Sequence, residues 1–223
     1  MKKLVLTMMV ALMATVGVCA QKVKRPDTYN YNRGMELLDN GELDEGLEYL
    51  EKELADNPKN GYAYSWMAAV YVEKEQFGNA MTYVDKALKY TPKKDKEYMS
   101  MAHAIKSRVH YLLGELDEAI DSYEFALDLD PEKIDIRAKV ATAYVGDGKF
   151  ETAIDHAQQV LDLQPDHASA LATIAICHGC LGHTSLYEGY TAKAVEAGYS
   201  EQKITTTVPA LKKKFKKTLE GLN

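Results

Sequence analysis

The sequence predicts an all-α protein, an α-solenoid of stacked antiparallel helix pairs with a C-terminal capping helix. Two observations carry that prediction. Pro58, Pro92, Pro131 and Pro165 each close an Ala-rich and Leu-rich stretch, and they are spaced by 34, 39 and 34 residues. A period in the thirties that ends on a helix-terminating proline is the mark of stacked supersecondary units, each too small to bury its apolar face alone. The stretch Gly41-Glu42-Leu43-Asp44-Glu45-Gly46 also returns as Gly114-Glu115-Leu116-Asp117-Glu118-Ala119, an internal duplication.

The first element lies outside the array. Lys2 and Lys3 precede an uncharged apolar run from Leu4 to Val18, and Val18-Cys19-Ala20 supplies small residues before Gln21. This pattern predicts a secretory signal over residues 1–20, with cleavage after Ala20. Lipid attachment at Cys19 is the alternative, although Val18 stands where that processing favours a small residue. An uncleaved anchor is the third option, and the run is short of the ~20 residues a spanning helix needs. No later segment is apolar enough to span. The expected location is therefore exported, periplasmic or secreted.

The full chain has 27 basic and 33 acidic residues, a net charge of −6. Without Lys2 and Lys3 the balance is 25 against 33, or −8. Acidity of this size argues against nucleic acid as a partner. Five lysines, Lys212, Lys213, Lys214, Lys216 and Lys217, crowd the C-terminal end, so the charge is asymmetric along the chain. Disulfides are not needed to hold the fold, because about 200 residues bury a continuous core by stacking.

With proline at position 32 of each unit, the units run 27–60, 61–94, 100–133, 134–167 and 168–199. Position 8 is then small throughout: Gly34, Ala68, Ser107, Ala141 and Ala175. Position 20 holds Gly46, Ala80, Ala119 and Ala153, and position 11 holds Leu37, Tyr71, His110, Tyr144 and His178. Small residues allow two helices to approach closely, and large ones fill the gap beside them. Position 15 is Gly41, Gly114, Gly148 and Gly182, with Glu75 as the exception; a glycine there tolerates the left-handed backbone that ends a helix.

This positional pattern resembles the tetratricopeptide repeat family over roughly residues 27–199, which implies a right-handed α-solenoid and a protein-binding role. Departures are visible. The Trp often found at position 4 is replaced by Asn30, Tyr64, His103, Arg137 and Leu171, and the fifth unit has Tyr187 at position 20 and Tyr199 in place of proline. That unit reads as degenerate and terminal. Extra residues near 93–98 read as a loop or an extended helix start, most simply a solvated connection. Residues 200–223 carry Ile204, Val208, Leu211, Phe215, Leu219 and Leu222 at helical steps, predicting a basic amphipathic cap in which Pro209 kinks or restarts the helix.

The resemblance implies that first helices line a concave groove. The groove residues it selects are Tyr31, Met35, Tyr62, Met101, Arg108 and Tyr111, with Trp66 at the border. Tyr and Met suit adaptable peptide contact, and Arg108 is placed to receive a carboxylate; the competing reading packs several of them against neighbouring helices. The Lys and Asn set with which some family members grip a terminal carboxylate is absent, its places being held by Tyr31, Met35, Trp66, Met101 and Ile105.

Cys177 and Cys180, with His178 and His183 nearby, permit a disulfide across one helical turn, a metal site, or inert burial. Spacing favours burial over a disulfide and a disulfide over metal. No Ser, His and Asp set, phosphate loop or pocketed carboxylate pair is present, and no cofactor is implied. The expected function is a non-enzymatic scaffold of the envelope or secreted space that binds a peptide or helix of a protein partner in its groove. The alternatives are a redox-active or metal-binding protein using Cys177 and Cys180, and a self-associating structural protein.

Overall fold

In a computed structural model the described residues are 23–221, so the signal predicted over residues 1–20 and the last cap position, Leu222, lie outside them. Those residues form twelve helices and no strand: α1 (Tyr29–Asp39), α2 (Leu43–Asp56), α3 (Gly61–Glu73), α4 (Phe77–Tyr90), α5 (Lys96–Leu113), α6 (Leu116–Leu129), α7 (Ile134–Asp147), α8 (Phe150–Leu163), α9 (Ala168–Leu181), α10 (Thr184–Glu196), α11 (Glu201–Lys214) and α12 (Lys216–Glu220). None is long and apolar enough to cross a membrane. The described residues divide into two compact bodies, 23–109 and 110–221.

The helices start and stop for local reasons. The Asn60 side chain accepts from the backbone N–H groups of Tyr62 and Ala63, both at 3.1 Å, and so opens α3. Asp44 and Glu45 in α2, and Asp117 and Glu118 in α6, place negative charge on the positive end of their helices. At the closing turns, Gly41, Gly114, Gly148 and Gly182 all adopt positive φ, between 79° and 83°. Glu75 does the same at φ 58°, against the preference of any residue with a Cβ. Its turn is wound like the others: Gln76 N–H donates to Tyr71 C=O at 2.9 Å, as Glu42 N–H does to Leu37 C=O.

In the first body α1 packs on α2 and α3 on α4. The α1 and α2 backbones meet at two glycines, and a Cβ built at Gly46 would fall 2.5 Å from Leu38 and 3.3 Å from the Gly34 carbonyl oxygen. Helix α3 is buried almost all round, from Gly61 to Val70 and again at Val72, as befits a helix enclosed by neighbours. Two apolar clusters result, one around Leu38, Leu50, Trp66 and Val70, the other around Ala68, Val84, Ile105 and Val109.

The second body repeats the scheme with α7 on α8 and α9 on α10. Helix α11 covers α9, burying Ile204 and Val208, the latter packed over Gly179. It passes through Pro209 without a break and ends at Lys214. Phe215 then sets its ring edge-on to Phe150 at 5.8 Å, and Lys214 donates to the Gly146 carbonyl at 2.8 Å. The C-terminal lysines are exposed.

Residues 93–98 differ from the expected solvated connection. They cap and extend α5, and Asp95 and Tyr98 are buried in the first body.

Candidate interaction face on the first helices

Three tyrosines from successive first helices meet in the first body: Tyr31 of α1, Tyr62 of α3 and Tyr98 of α5. The Tyr31 and Tyr98 hydroxyls lie 3.3 Å apart, and the Tyr62 and Tyr98 rings stand edge to face at 4.6 Å. Tyr62 Oη donates to Asp95 Oδ2 at 3.0 Å, and the backbone N–H of Tyr98 donates to Asp95 Oδ1 at 3.4 Å. Asp95 is only 3% exposed, so its charge requires a compensating partner. Arg25 supplies one. Its Nε and Nη2 reach Asp95 at 3.3 and 3.4 Å, Nη2 also bonds Glu97, and the guanidinium carbon sits 4.7 Å from the Tyr98 ring centroid.

Arg25 belongs to the irregular segment 23–28 that precedes α1. That segment is fixed at its other end by Thr28, whose hydroxyl donates to Glu53 Oε2 at 2.5 Å. Glu53, buried within α2, also accepts from Asn57 at 3.0 Å and Asn60 at 2.8 Å. The segment thus bridges Glu53 in the last turn of α2 and Asp95 and Glu97 at the start of α5.

Burial raises the Tyr31 hydroxyl above its ordinary range, and Tyr98 adds to the effect. Tyr62 moves the same way, first through burial and then through Asp95. For Arg25, burial alone would lower the pKa, but the bonds to Glu97 and Asp95 outweigh it and hold the guanidinium charged.

These contacts reassign several residues that the sequence placed in an open groove. Tyr31, Tyr62 and Trp66 are buried members of the first apolar cluster, with Trp66 wholly enclosed; Met35 and Met101 pack along its edge. They face neighbouring helices because α3 is central to its body. Arg108 is half-buried and already paired, its Nη1 lying 2.9 Å from Glu73 Oε1 in a contact poorly directed for a hydrogen bond. Its charge therefore balances an acid of α3. Tyr111 falls in the second body and is 36% exposed, beside the exposed Leu112 and Leu113.

Cys177 and Cys180 are free thiols buried in α9. Burial pushes the Cys177 thiol far up and that of Cys180 to about 11, the reverse of the lowered pKa that activates a redox cysteine. His178 and His183 pair through their Nδ1 atoms at 3.1 Å. Among the described residues no group of three or more His, Cys, Asp and Glu is placed to hold a metal.

Arg25, Glu53, Asp95 and Tyr98 were not selected from the sequence. The available signal was Asp95 three residues after Pro92, an N-cap arrangement inside the insertion.

Comparison with known proteins agrees with this architecture. A family model described as Tetratricopeptide repeat matches residues 37–104, and one described as TPR repeat matches residues 108–148. Anaphase-promoting complex subunit 3 of Dictyostelium discoideum is 32% identical over 100 residues, which is 44% of this chain and 10% of that protein. A TPR repeat-containing protein of Methanocaldococcus jannaschii is 29% identical over 91 residues, 41% of this chain and 28% of that protein. The match thus spans about a tenth and about a quarter of these relatives. Among solved structures, YrrB, described as a TPR protein with an unusual peptide-binding site, aligns with a TM-score of 0.60 at 20% identity, covering 76% of this chain and 84% of that one. MamA aligns with a TM-score of 0.63 at 20% identity, covering 78% and 96%. At such identities the likeness is one of fold.

Proposed function

We propose that this chain, which belongs to the tetratricopeptide repeat family, is a non-enzymatic scaffold that holds a segment of a partner protein against the first helices of its repeats. The observation that carries this reading is the seating of residues 23–28: an irregular stretch of polypeptide bridges the last turn of α2 and the start of the first helix α5, held by Glu53, Asp95 and Glu97. Residues that hold an irregular segment through its side chains have the chemistry a peptide ligand requires. YrrB, of the same fold, is described as having a peptide-binding site, which supports the reading by analogy. Export, suggested by Lys2, Lys3 and the apolar run to Val18, would place that partner in the envelope or outside the cell. The redox alternative gains no support from thiols whose burial suppresses the thiolate.

The test is affinity capture from the envelope fraction of the source cells with three versions of the chain. Ala104→Arg adds bulk to the half-buried first-helix face of α5, and Glu48→Arg alters the exposed side of α2. A protein captured by the wild type and by Glu48→Arg but lost with Ala104→Arg supports the reading. Equal capture by all three, with unchanged helical circular dichroism, refutes it.

A further inference from the structure

We infer that Asp95, Glu97, Tyr62 and Tyr98 form a guanidinium-binding subsite that Arg25 fills in cis and that an arginine of an extended partner segment fills in trans. The inference rests on the peptide-binding reading above and names the side chain that reading leaves open.

The subsite has the parts that distinguish arginine from lysine. Asp95 offers both oxygens to Nε and Nη2, a two-point contact that only a planar fork can make. Glu97 takes a further N–H at the outer rim. Tyr98 lies under the guanidinium at 4.7 Å, where a flat delocalised cation gains from the ring face. Tyr62 Oη and the Tyr98 N–H also donate to the Asp95 carboxylate, so α3 and α5 hold it in place beside the occupant.

The occupant is of a different kind from its receptor. Among the described residues Arg25 is the cation bonded to Asp95, and it comes from an irregular segment, with 39% of its side chain exposed. Lys24, Arg25 and Asp27 are exposed, so the segment is held chiefly by the Arg25 and Thr28 side-chain contacts, and a competing arginine replaces the first of these. Opening would leave a 3% exposed carboxylate facing solvent without a cation, which is a cation receptor in a pre-formed state.

Residues 23–28 therefore act as a tethered competitor, covering the subsite until a partner segment with better contacts displaces them.

The probe is a fluorescein-labelled, end-blocked peptide of sequence Val-Lys-Arg-Pro-Asp-Thr, the chain's own segment, followed by anisotropy. Arg25→Gln vacates the subsite, and because residue 25 precedes every described helix, the fold is expected to persist. The peptide should bind the Arg25→Gln chain at least about tenfold more tightly than wild type, because the tethered arginine no longer competes. Replacing the peptide's arginine with citrulline or lysine should remove most of that binding. On the Arg25→Gln background, Asp95→Asn should abolish it; Glu97→Gln, at the half-exposed rim, should weaken it and keeps the test readable if Asp95→Asn fails to fold.

Equal binding to wild type and Arg25→Gln, no binding to either, or equal binding of the lysine peptide would overturn the inference. Partner capture that persists while the peptide fails would separate this outcome from failure of the interaction reading itself.

Discussion

Replacing Glu75 with glycine should stabilise the protein although it removes five heavy atoms. At φ 58° Glu75 holds the left-handed conformation that Gly41, Gly114, Gly148 and Gly182 hold in the equivalent turns. For a residue with a Cβ that conformation costs roughly 1–2 kcal/mol. Glycine removes this cost but gains about 0.5–1 kcal/mol of freedom in the unfolded chain. The Glu75 side chain is exposed and its carboxylate stands after the C-terminus of α3 and before the N-terminus of α4, so its two helix-dipole effects oppose each other. The net gain is about 0.5–1 kcal/mol, or roughly 1–4 °C in Tm for a chain of this length. Gly114→Ala is the control: φ is +83° and a Cβ there meets nothing within 4 Å, so the substitution reports backbone strain alone and should cost about 1 kcal/mol. Thermal unfolding by circular dichroism and urea midpoints would measure both. An unchanged or lowered Tm for Glu75→Gly, or a neutral Gly114→Ala, would refute the strain argument.

Other perturbations follow from single contacts. Glu53→Ala leaves the Thr28 hydroxyl and the Asn57 and Asn60 amides without their acceptor, and should lower stability by about 2–3 kcal/mol in urea unfolding. Gly46→Ala drives a methyl to 2.5 Å from the buried Leu38 and should cost about 1–3 kcal/mol, read from the same midpoints. With Cys180 pushed up to about 11, roughly one thiol in a thousand is ionised at pH 8, so labelling with a thiol-specific disulfide reagent should be slow in the native protein and fast in denaturant. The His178 pKa is lowered by burial and by His183; the folded state therefore resists a proton that the unfolded chain accepts below about pH 6.5. The stability it contributes is present above that pH and lost as pH falls towards the lowered value, so Tm should drop less between pH 7 and 5 in His178→Asn than in wild type.

The elements and their pairing were legible because a repeat writes them in short range. A small residue at position 8 faces another at position 20 of the same hairpin, as Gly34 and Gly46 do, and a turn glycine acts on its own backbone; both requirements are met within about a dozen residues of sequence. Helix identity was legible for the same reason, since apolar spacing of three and four residues is local. The surroundings of the groove candidates were not. Whether Tyr31 or Tyr62 lines an open groove or a closed core depends on what folds over it, and here that is set by Tyr98, 67 residues beyond Tyr31, and by Arg25, 70 residues before Asp95. The family pattern assigns a face to each repeat position, yet it says nothing of an insertion that brings a buried aspartate to the start of α5. Both ends of the Arg25 contact lie where the repeat is silent, one before the first unit and one between the second and third. The regular positions are occupied by packing, and Arg108, which the repeat pattern places in the groove, pairs with Glu73 of the preceding repeat, a partner that lies 35 residues away and that no single unit reveals.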